Sequence, residues 1–172
     1  MAEPKWVAEA RKYLGQREVP GPASSNWIRA MWAGLKGGLW YWRQYGEDDS
    51  KLPWCGGFMA YVMDRCGIAY PSAYASAKAW LQWGTPLTGP CVGAVVVFSR
   101  EGGGHVGLVL GRDSRGRLVV LGGNQGDAVS VAPFDLARVS GYVYPPGATP
   151  EALGFLSMPV LAAGAASSTN EA

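Results

Sequence analysis

The amino-acid sequence predicts an α+β fold, with helices in the first half of the chain and an antiparallel sheet in the second. Apolar residues recur at helical spacing up to residue 83, whereas short apolar runs bounded by turn residues follow from residue 93. The connections between these runs are short, which favours pairing as an antiparallel meander. This order, with the helices before the strands, is typical of α+β domains.

Length and composition indicate one globular domain. The chain has 172 residues, of which 48% are hydrophobic and 16% charged, enough for a sizeable core. A net charge of +2 without a basic block gives no indication of a nucleic-acid partner. Residues 1–6 lack the pattern of a signal peptide, and no apolar run reaches the ~18 residues of a membrane span. We expect a monomer that is made in the cytoplasm and does not insert stably into a membrane.

The spacing of apolar residues places four helices before the sheet. The first covers residues 5–14, with Pro4 near its first turn and a glycine at its end. The second is centred on residues 27–32 and has Ser25 or Asn26 as its cap. The remaining predictions are helices over residues 55–65 and 75–83, and an irregular connection over residues 39–53.

Five strands are predicted for the second half, over residues 93–98, 105–111, 118–124, 128–131 and 140–144. After Pro145 and Pro146 the composition shifts to Ala, Gly, Ser and Thr. We therefore divide the chain into a folded domain, residues 1–146, and a C-terminal tail, residues 147–172. The tail is expected to pack in part at Leu153–Leu156 and to fray after Gly164.

Cys55 stands where a nucleophile would be presented. Pro53 disfavours helix at the residue before it, and apolar residues follow Cys55 at helical spacing, so a helix is predicted to begin there. A thiol in the first turn faces unpaired N–H groups and the positive end of the helix dipole, which lower the pKa of the thiol. The two glycines that follow leave room for a substrate backbone. A buried structural cysteine is the alternative.

The other two cysteines, Cys66 and Cys91, are interpreted as core or loop thiols. The total is odd and no C-x-x-C pair occurs, so neither a disulfide framework nor a zinc site is indicated, and no cofactor is predicted. A bridge between Cys66 and Cys91 is the alternative, although no secretion signal favours it.

His105, the one histidine, opens a predicted strand after a glycine loop that offers little side chain to shield it. Histidine titrates near neutral pH and therefore suits a general base. Asn124 ends the next predicted strand, where its amide oxygen can lie beside the imidazole and fix the tautomer. Asp127 can play the same role, and a plain turn residue is the alternative for Asn124. Together with Cys55, these residues fit the pattern of nucleophile, base and orienting residue.

Aromatic and acidic residues near Cys55 indicate two further features. Trp54, Trp40 and Trp42 are candidate walls of a groove for a sugar or a peptide, with ordinary packing as the alternative. Residues 47–49 place three carboxylates in a row, and such oxygens bind hard cations like calcium. The regular alternation of an EF-hand loop is absent, so a solvated loop is the favoured interpretation and calcium the alternative.

Three of these motifs resemble the CHAP and NlpC-type peptidoglycan hydrolases, and more narrowly a bacterial or phage endolysin-like subfamily related to both. They are Pro-Trp-Cys opening a helix, Gly-His-Val-Gly after a Val-Val-Phe-Ser strand, and Leu-Gly-Gly-Asn-Gln-Gly. The resemblance covers roughly residues 5–145 and implies a papain-like α+β fold with N-terminal helices packed on a C-terminal antiparallel sheet. It also implies roles for Cys55 as nucleophile, His105 as general base and acid, and Asn124 as orienting residue. Some CHAP domains bind calcium near the acidic loop, but no clear match to such a site occurs here.

The function implied is hydrolysis of an amide bond in peptidoglycan, by an N-acetylmuramoyl-L-alanine amidase or a stem-peptide endopeptidase. Many NlpC-type relatives use a second histidine as third residue, which this chain lacks. Neither a wall-binding domain nor an export signal is visible, so we expect release by a holin or a place in a phage particle, with action in the periplasm or outside the cell. The alternatives are a catalytically silent wall-binding or assembly module, and a cysteine peptidase or acyltransferase with a non-wall substrate.

Overall fold

The computed structural model describes residues 2–20 and 23–162. Over these ranges the α-helices are α1 Lys5–Arg11, α2 Asn26–Ala33, α3 Gly38–Gln44 and α4 Cys55–Arg65. The strands are β1 Thr85–Leu87, β2 Val95–Arg100, β3 Gly103–Arg112, β4 Leu118–Gly122, β5 Ser130–Phe134 and β6 Val139–Tyr144. Short 3₁₀ helices cover Ala77–Gln82, Leu136–Arg138 and Phe155–Ser157. The predicted α+β order, helices before an antiparallel sheet, is confirmed.

The first two helices begin where the sequence places them. α1 follows Pro4 and ends at Arg11, because residues 12–15 turn toward Gly15, whose φ is +92°. α2 follows Ser25, whose hydroxyl accepts a hydrogen bond from the Ile28 N–H at 3.3 Å. That bond satisfies one of the N–H groups left open at a helix start.

Residues 38–44 form a helix, so the irregular connection predicted over residues 39–53 is wrong for its first part. α3 follows Gly37 at a φ of +73° and has no side-chain cap, so the local sequence gives no start signal. Its stabilisation comes from tertiary packing, since Trp42 is buried in the core. The chain from Tyr45 to Pro53 is a series of turns and bends.

The six strands of the described residues form one antiparallel sheet in the order β1-β6-β2-β3-β4-β5. β2 to β5 form the predicted meander. β6 departs from it, because the chain returns after β5 and pairs β6 with the free side of β2. β1 lies on the other side of β6 and is not predicted by the sequence, since three residues with a central proline carry no strand pattern.

α4 covers residues 55–65 as predicted, and it packs against β3 and β4 of the sheet. The close approach to the sheet depends on Gly123 after β4. A Cβ atom there would lie 2.6 Å from Cβ of Phe58 and 2.9 Å from the ring of Trp54. The Ala77–Gln82 turn, within the helix predicted over residues 75–83, packs on β2 and β3.

Residues beyond 146 add to the fold. Met158 is buried, and the backbone of Arg112 on β3 hydrogen-bonds to Pro159 O at 3.0 Å and to the Leu161 N–H at 2.7 Å. Within the stretch predicted to pack, Phe155 contacts the core while Leu153 and Leu156 are exposed. The predicted fraying after Gly164 lies outside the described residues. Across the described ranges, we find no helix with the length and apolar character needed to cross a membrane.

Candidate active site

Cys55 is the first residue of α4, and the residue before it is held at two points. Trp54 lies outside the helix, at φ −117° and ψ 11°, and its carbonyl accepts the Phe58 N–H at 2.8 Å. Its indole N–H donates to Oε1 of Glu18 at 2.8 Å. These bonds fix the point at which the chain turns into the helix, and therefore the position of Cys55.

The two glycines after Cys55 allow the helix to pack closely against other parts of the chain. A Cβ atom on Gly56 would lie 2.1 Å from the backbone oxygen of Tyr74, and one on Gly57 would lie 2.7 Å from the Trp32 ring. This space is filled by the protein itself. The prediction that the glycines leave room for a substrate backbone is therefore wrong.

Cys55 begins the helix that packs against β3, and the backbone of Val106 on that strand is among the groups that act on the pKa of its thiol. Burial raises the pKa of the thiol, since Cys55 is only 5% exposed. The N–H groups of Val106 and Gly56 and the charge of Arg100 act in the opposite direction but do not outweigh burial. The predicted lowering of this pKa is thus wrong for the closed site. A neutral thiol requires a base to take its proton before it can act as a nucleophile.

His105 lies on β3, the strand against which α4 packs, directly before Val106. His105 pairs with Phe98 of β2 in the sheet register. Its ring lies nearly parallel to those of Phe98 and Phe134, with centroids 6.2 and 5.4 Å away. The His105 side chain is fully buried. The two phenylalanine rings cover it, whereas the glycine loop before it has no side chains to do so.

Gln125 lies beside the imidazole. Its Oε1 is 3.0 Å from Nε2 of His105, and the Gln125 side chain is buried. Its amide nitrogen donates to the backbone carbonyls of Val120 at 3.2 Å and Ser130 at 2.9 Å. The sequence does not single out Gln125, since nothing local shows which of two adjacent amides in a turn points toward a neighbouring strand.

Asn124 precedes Gln125 and is buried, with a φ of +60°. This left-handed conformation is one that Asn adopts more readily than most residues. Asp127 has a φ of +59°, and its carbonyl accepts the Glu18 N–H at 2.9 Å. Both residues therefore shape the turn between β4 and β5. The orienting role of Asn124 stays a prediction.

The three candidate groove tryptophans differ in exposure. Trp54 and Trp42 are 0% and 2% exposed, which favours the packing interpretation for these two. Trp40 is 61% exposed, and its ring contacts Tyr41 with centroids 5.1 Å apart. Tyr41 lines a cleft of about 300 Å³ that also includes Pro53, two residues before Cys55. A larger cavity of about 670 Å³, between α1 and residues 149–161, contains none of the predicted site residues.

The acidic loop directs its carboxylates at donors of its own chain. Asp48 Oδ1 accepts from the N–H and the hydroxyl of Ser50, and Asp49 Oδ2 accepts from the Ser25 N–H at 2.6 Å. Both acids are buried, so the solvated loop predicted here is wrong for them. In the part of the chain that the structure describes, no group of three or more His, Cys, Asp or Glu side chains is placed to hold a metal ion.

Acidic side chains lie near Glu18, the residue that accepts the Trp54 indole hydrogen bond. Burial raises the pKa of Glu18, and the nearby carboxylates of Asp127, Asp49 and Asp48 raise it further. The hydrogen bond from Trp54 acts in the opposite direction.

All three cysteines lie in the described residues and are free thiols. Cys91 is buried and Cys66, which follows α4, is half-buried. These placements agree with the interpretation of both as core or loop thiols rather than with a bridge.

Comparison with known families adds one finding to this geometry. Residues 44–124 match the family model of the CHAP domain. The match covers just under half of the 172 residues and is consistent with the CHAP-type cysteine peptidase and amidase family. No curated protein matches the chain. The match contains Cys55, His105 and Asn124 and stops one residue before Gln125. CHAP domains are generally cysteine- and histidine-dependent amidohydrolases or peptidases of the peptidoglycan-hydrolase type.

Proposed function

We propose that this protein hydrolyses an amide bond of peptidoglycan, with Cys55 as the nucleophile and His105 as the general base and acid. The observation that carries the proposal is the packing of α4 on β3, since it brings the helix that begins with the buried Cys55 against the strand that carries the one histidine of the sequence. The CHAP domain match at residues 44–124 agrees with this reaction class.

In the proposed acylation step, His105 takes the thiol proton and Cys55 Sγ attacks the carbonyl carbon of the scissile amide. The carbonyl π electrons move to oxygen, giving a tetrahedral oxyanion. Collapse of this intermediate breaks the C–N bond, and the imidazolium returns its proton to the leaving amine. Water then attacks the thioester with His105 as base, which releases the acid product and the thiol.

The start of α4 suits the charge that this reaction develops. The first N–H groups of a helix have no partner within the helix, and the Cys55 N–H is one of them. Such a donor can stabilise the oxyanion, a contribution of about 3 kcal/mol per donor. Burial of the site strengthens these interactions, because little water competes for the charge.

The experiment compares wild type, Cys55→Ala and Cys66→Ala on purified peptidoglycan, with products identified by mass spectrometry. Cys66→Ala is the matched control, because it makes the same change at the other end of α4. We expect products from wild type and Cys66→Ala and none from Cys55→Ala, and the same loss for His105→Ala. Split stem peptides would identify an endopeptidase, and freed muramic lactyl groups an amidase.

Products that form without Cys55 would refute the mechanism. A folded wild type that gives no products, with or without calcium, yet sediments with the wall would favour a silent wall-binding module. Delivery by a holin, or within a phage particle, stays a prediction that goes with the endolysin-like interpretation.

A further inference from the structure

We infer that Gln125 is the positioning residue of the site, and that it holds the neutral His105 ring in the tautomer with its proton on Nε2. The inference rests on the proposed function for its catalytic meaning, but its geometry stands independently. It assigns to Gln125 a role that the sequence predicts for Asn124 or Asp127.

The orientation of the Gln125 amide follows from its partners. The NH₂ group faces two backbone carbonyls, those of Val120 at 3.2 Å and Ser130 at 2.9 Å. Carbonyl oxygens only accept hydrogen bonds, so the reversed amide would set three oxygens against one another. Oε1 is therefore the atom that faces the imidazole, 3.0 Å from Nε2.

An amide oxygen has no hydrogen to donate, so Nε2 of His105 must carry the proton. In the neutral ring the lone pair is then on Nδ1. This nitrogen is attached to the ring carbon that carries the Cβ atom, at the end of the ring nearer the β3 backbone, whereas Nε2 faces Gln125. The tautomer that Gln125 selects thus leaves Nδ1 as the nitrogen that can take the Cys55 proton in the proposed reaction.

The backbone of Gln125 is also held. Its N–H donates to Ala128 O at 2.9 Å and its carbonyl accepts the Ser130 hydroxyl at 2.8 Å. Opposite the side chain is Gly122, where a Cβ atom would lie 2.5 Å from Oε1 of Gln125 and 3.4 Å from Nε2 of His105. Glycine at 122 therefore leaves the space that this hydrogen bond needs.

The test uses the fact that the chain has one histidine, so its ring nitrogens give unambiguous NMR signals. In ¹⁵N-labelled wild type without substrate, we expect the neutral ring to carry its proton on Nε2. A proton on Nδ1 would overturn the inference, and this measurement needs no variant. The result is independent of catalysis, so Cys55-dependent cleavage can fail while the Nε2 tautomer stands, or the reverse.

Gln125→Met removes the acceptor and nearly keeps the side-chain volume. We expect the fixed tautomer to give way to a mixture and kcat to fall about tenfold or more with KM little changed. Gly122→Ala, which crowds the same hydrogen bond, should show the same mixture. Asn124→Ala should keep the Nε2 tautomer. An unchanged tautomer in Gln125→Met, or its loss in Asn124→Ala alone, would overturn the assignment.

Discussion

The close packing at Gly56 makes a quantitative prediction about how the fold positions Cys55. A Cβ atom on residue 56 would lie 2.1 Å from the backbone oxygen of Tyr74 and 3.1 Å from that of Ala75. Backbone atoms cannot rotate away as a flexible side chain can. Gly56→Ala must therefore shift the start of α4, or residues 74 and 75, by about 1 Å.

Such overpacking lowers the free energy of unfolding by about 3 kcal/mol. This is toward the upper end of the range usual for overpacking, because both sides of the contact are backbone. For a chain of this length, that loss lowers Tm by roughly 6–12 °C. The displacement also reaches Cys55, the neighbouring residue. A misplacement of about 1 Å at a reacting group can cost about 100-fold in rate.

The assay combines thermal unfolding with wall hydrolysis measured below the unfolding transition. Gly34→Ala is the matched control, since residue 34 has a φ of −75° and a Cβ atom there meets nothing closer than 3.5 Å. We expect this control to keep wild-type activity and to be equally or slightly more stable, by up to about 1 kcal/mol. A Gly56→Ala variant with wild-type Tm and rate would refute the packing argument.

Two further predictions concern burial. Burial alone would raise the pKa of Asp113, but hydrogen bonds from Arg117 and Arg115 outweigh it and lower the pKa below 3.8. Asp113 therefore stabilises the fold above pH 3.8 and loses this effect as pH falls through its folded pKa. In Asp113→Asn we expect the free energy of unfolding to be about 3 kcal/mol lower than in wild type at neutral pH. Urea unfolding at falling pH should show this difference becoming smaller, and a difference that stays constant with pH would contradict the prediction. In the same urea assay, Trp42→Ala should lower the free energy of unfolding by about 3–5 kcal/mol, whereas Trp40→Ala should change it by less than about 0.5 kcal/mol. Trp40→Ala should instead raise KM for wall fragments. An unchanged KM in Trp40→Ala would remove Trp40 as a groove wall.

The elements that the sequence predicts well are those with local signals. The predicted and observed bounds of α4 agree, because Pro53 lies just before its start and the helical spacing of apolar residues continues to its end. The meander strands are found because turn residues separate them. α3 and β1 lack such signals, since α3 has no capping side chain and β1 has three residues around a proline. Their stability comes from packing, which a local pattern does not contain.

The chemical identity of the candidate site is predictable, but its surroundings are not. The cysteine after Pro-Trp and the histidine at a predicted strand start are visible in the amino-acid sequence, and they predict the nucleophile and the base. The covering of His105 by Phe134 depends on a residue 29 positions later in the chain. The choice between Asn124 and Gln125 depends on which side chain the left-handed turn directs at β3. Both are outcomes of tertiary structure.

Two features that depart from the sequence predictions fit together chemically. Burial raises the pKa of the Cys55 thiol, so the closed site favours a neutral thiol over a preformed thiolate. A neutral thiol becomes a nucleophile only if a basic nitrogen lies within reach when the substrate binds. Gln125 would hold that nitrogen in place by keeping the ring proton on Nε2. The burial that outweighs the helix-start N–H groups and the unexpected amide would thus be two parts of one arrangement, in which proton transfer accompanies attack.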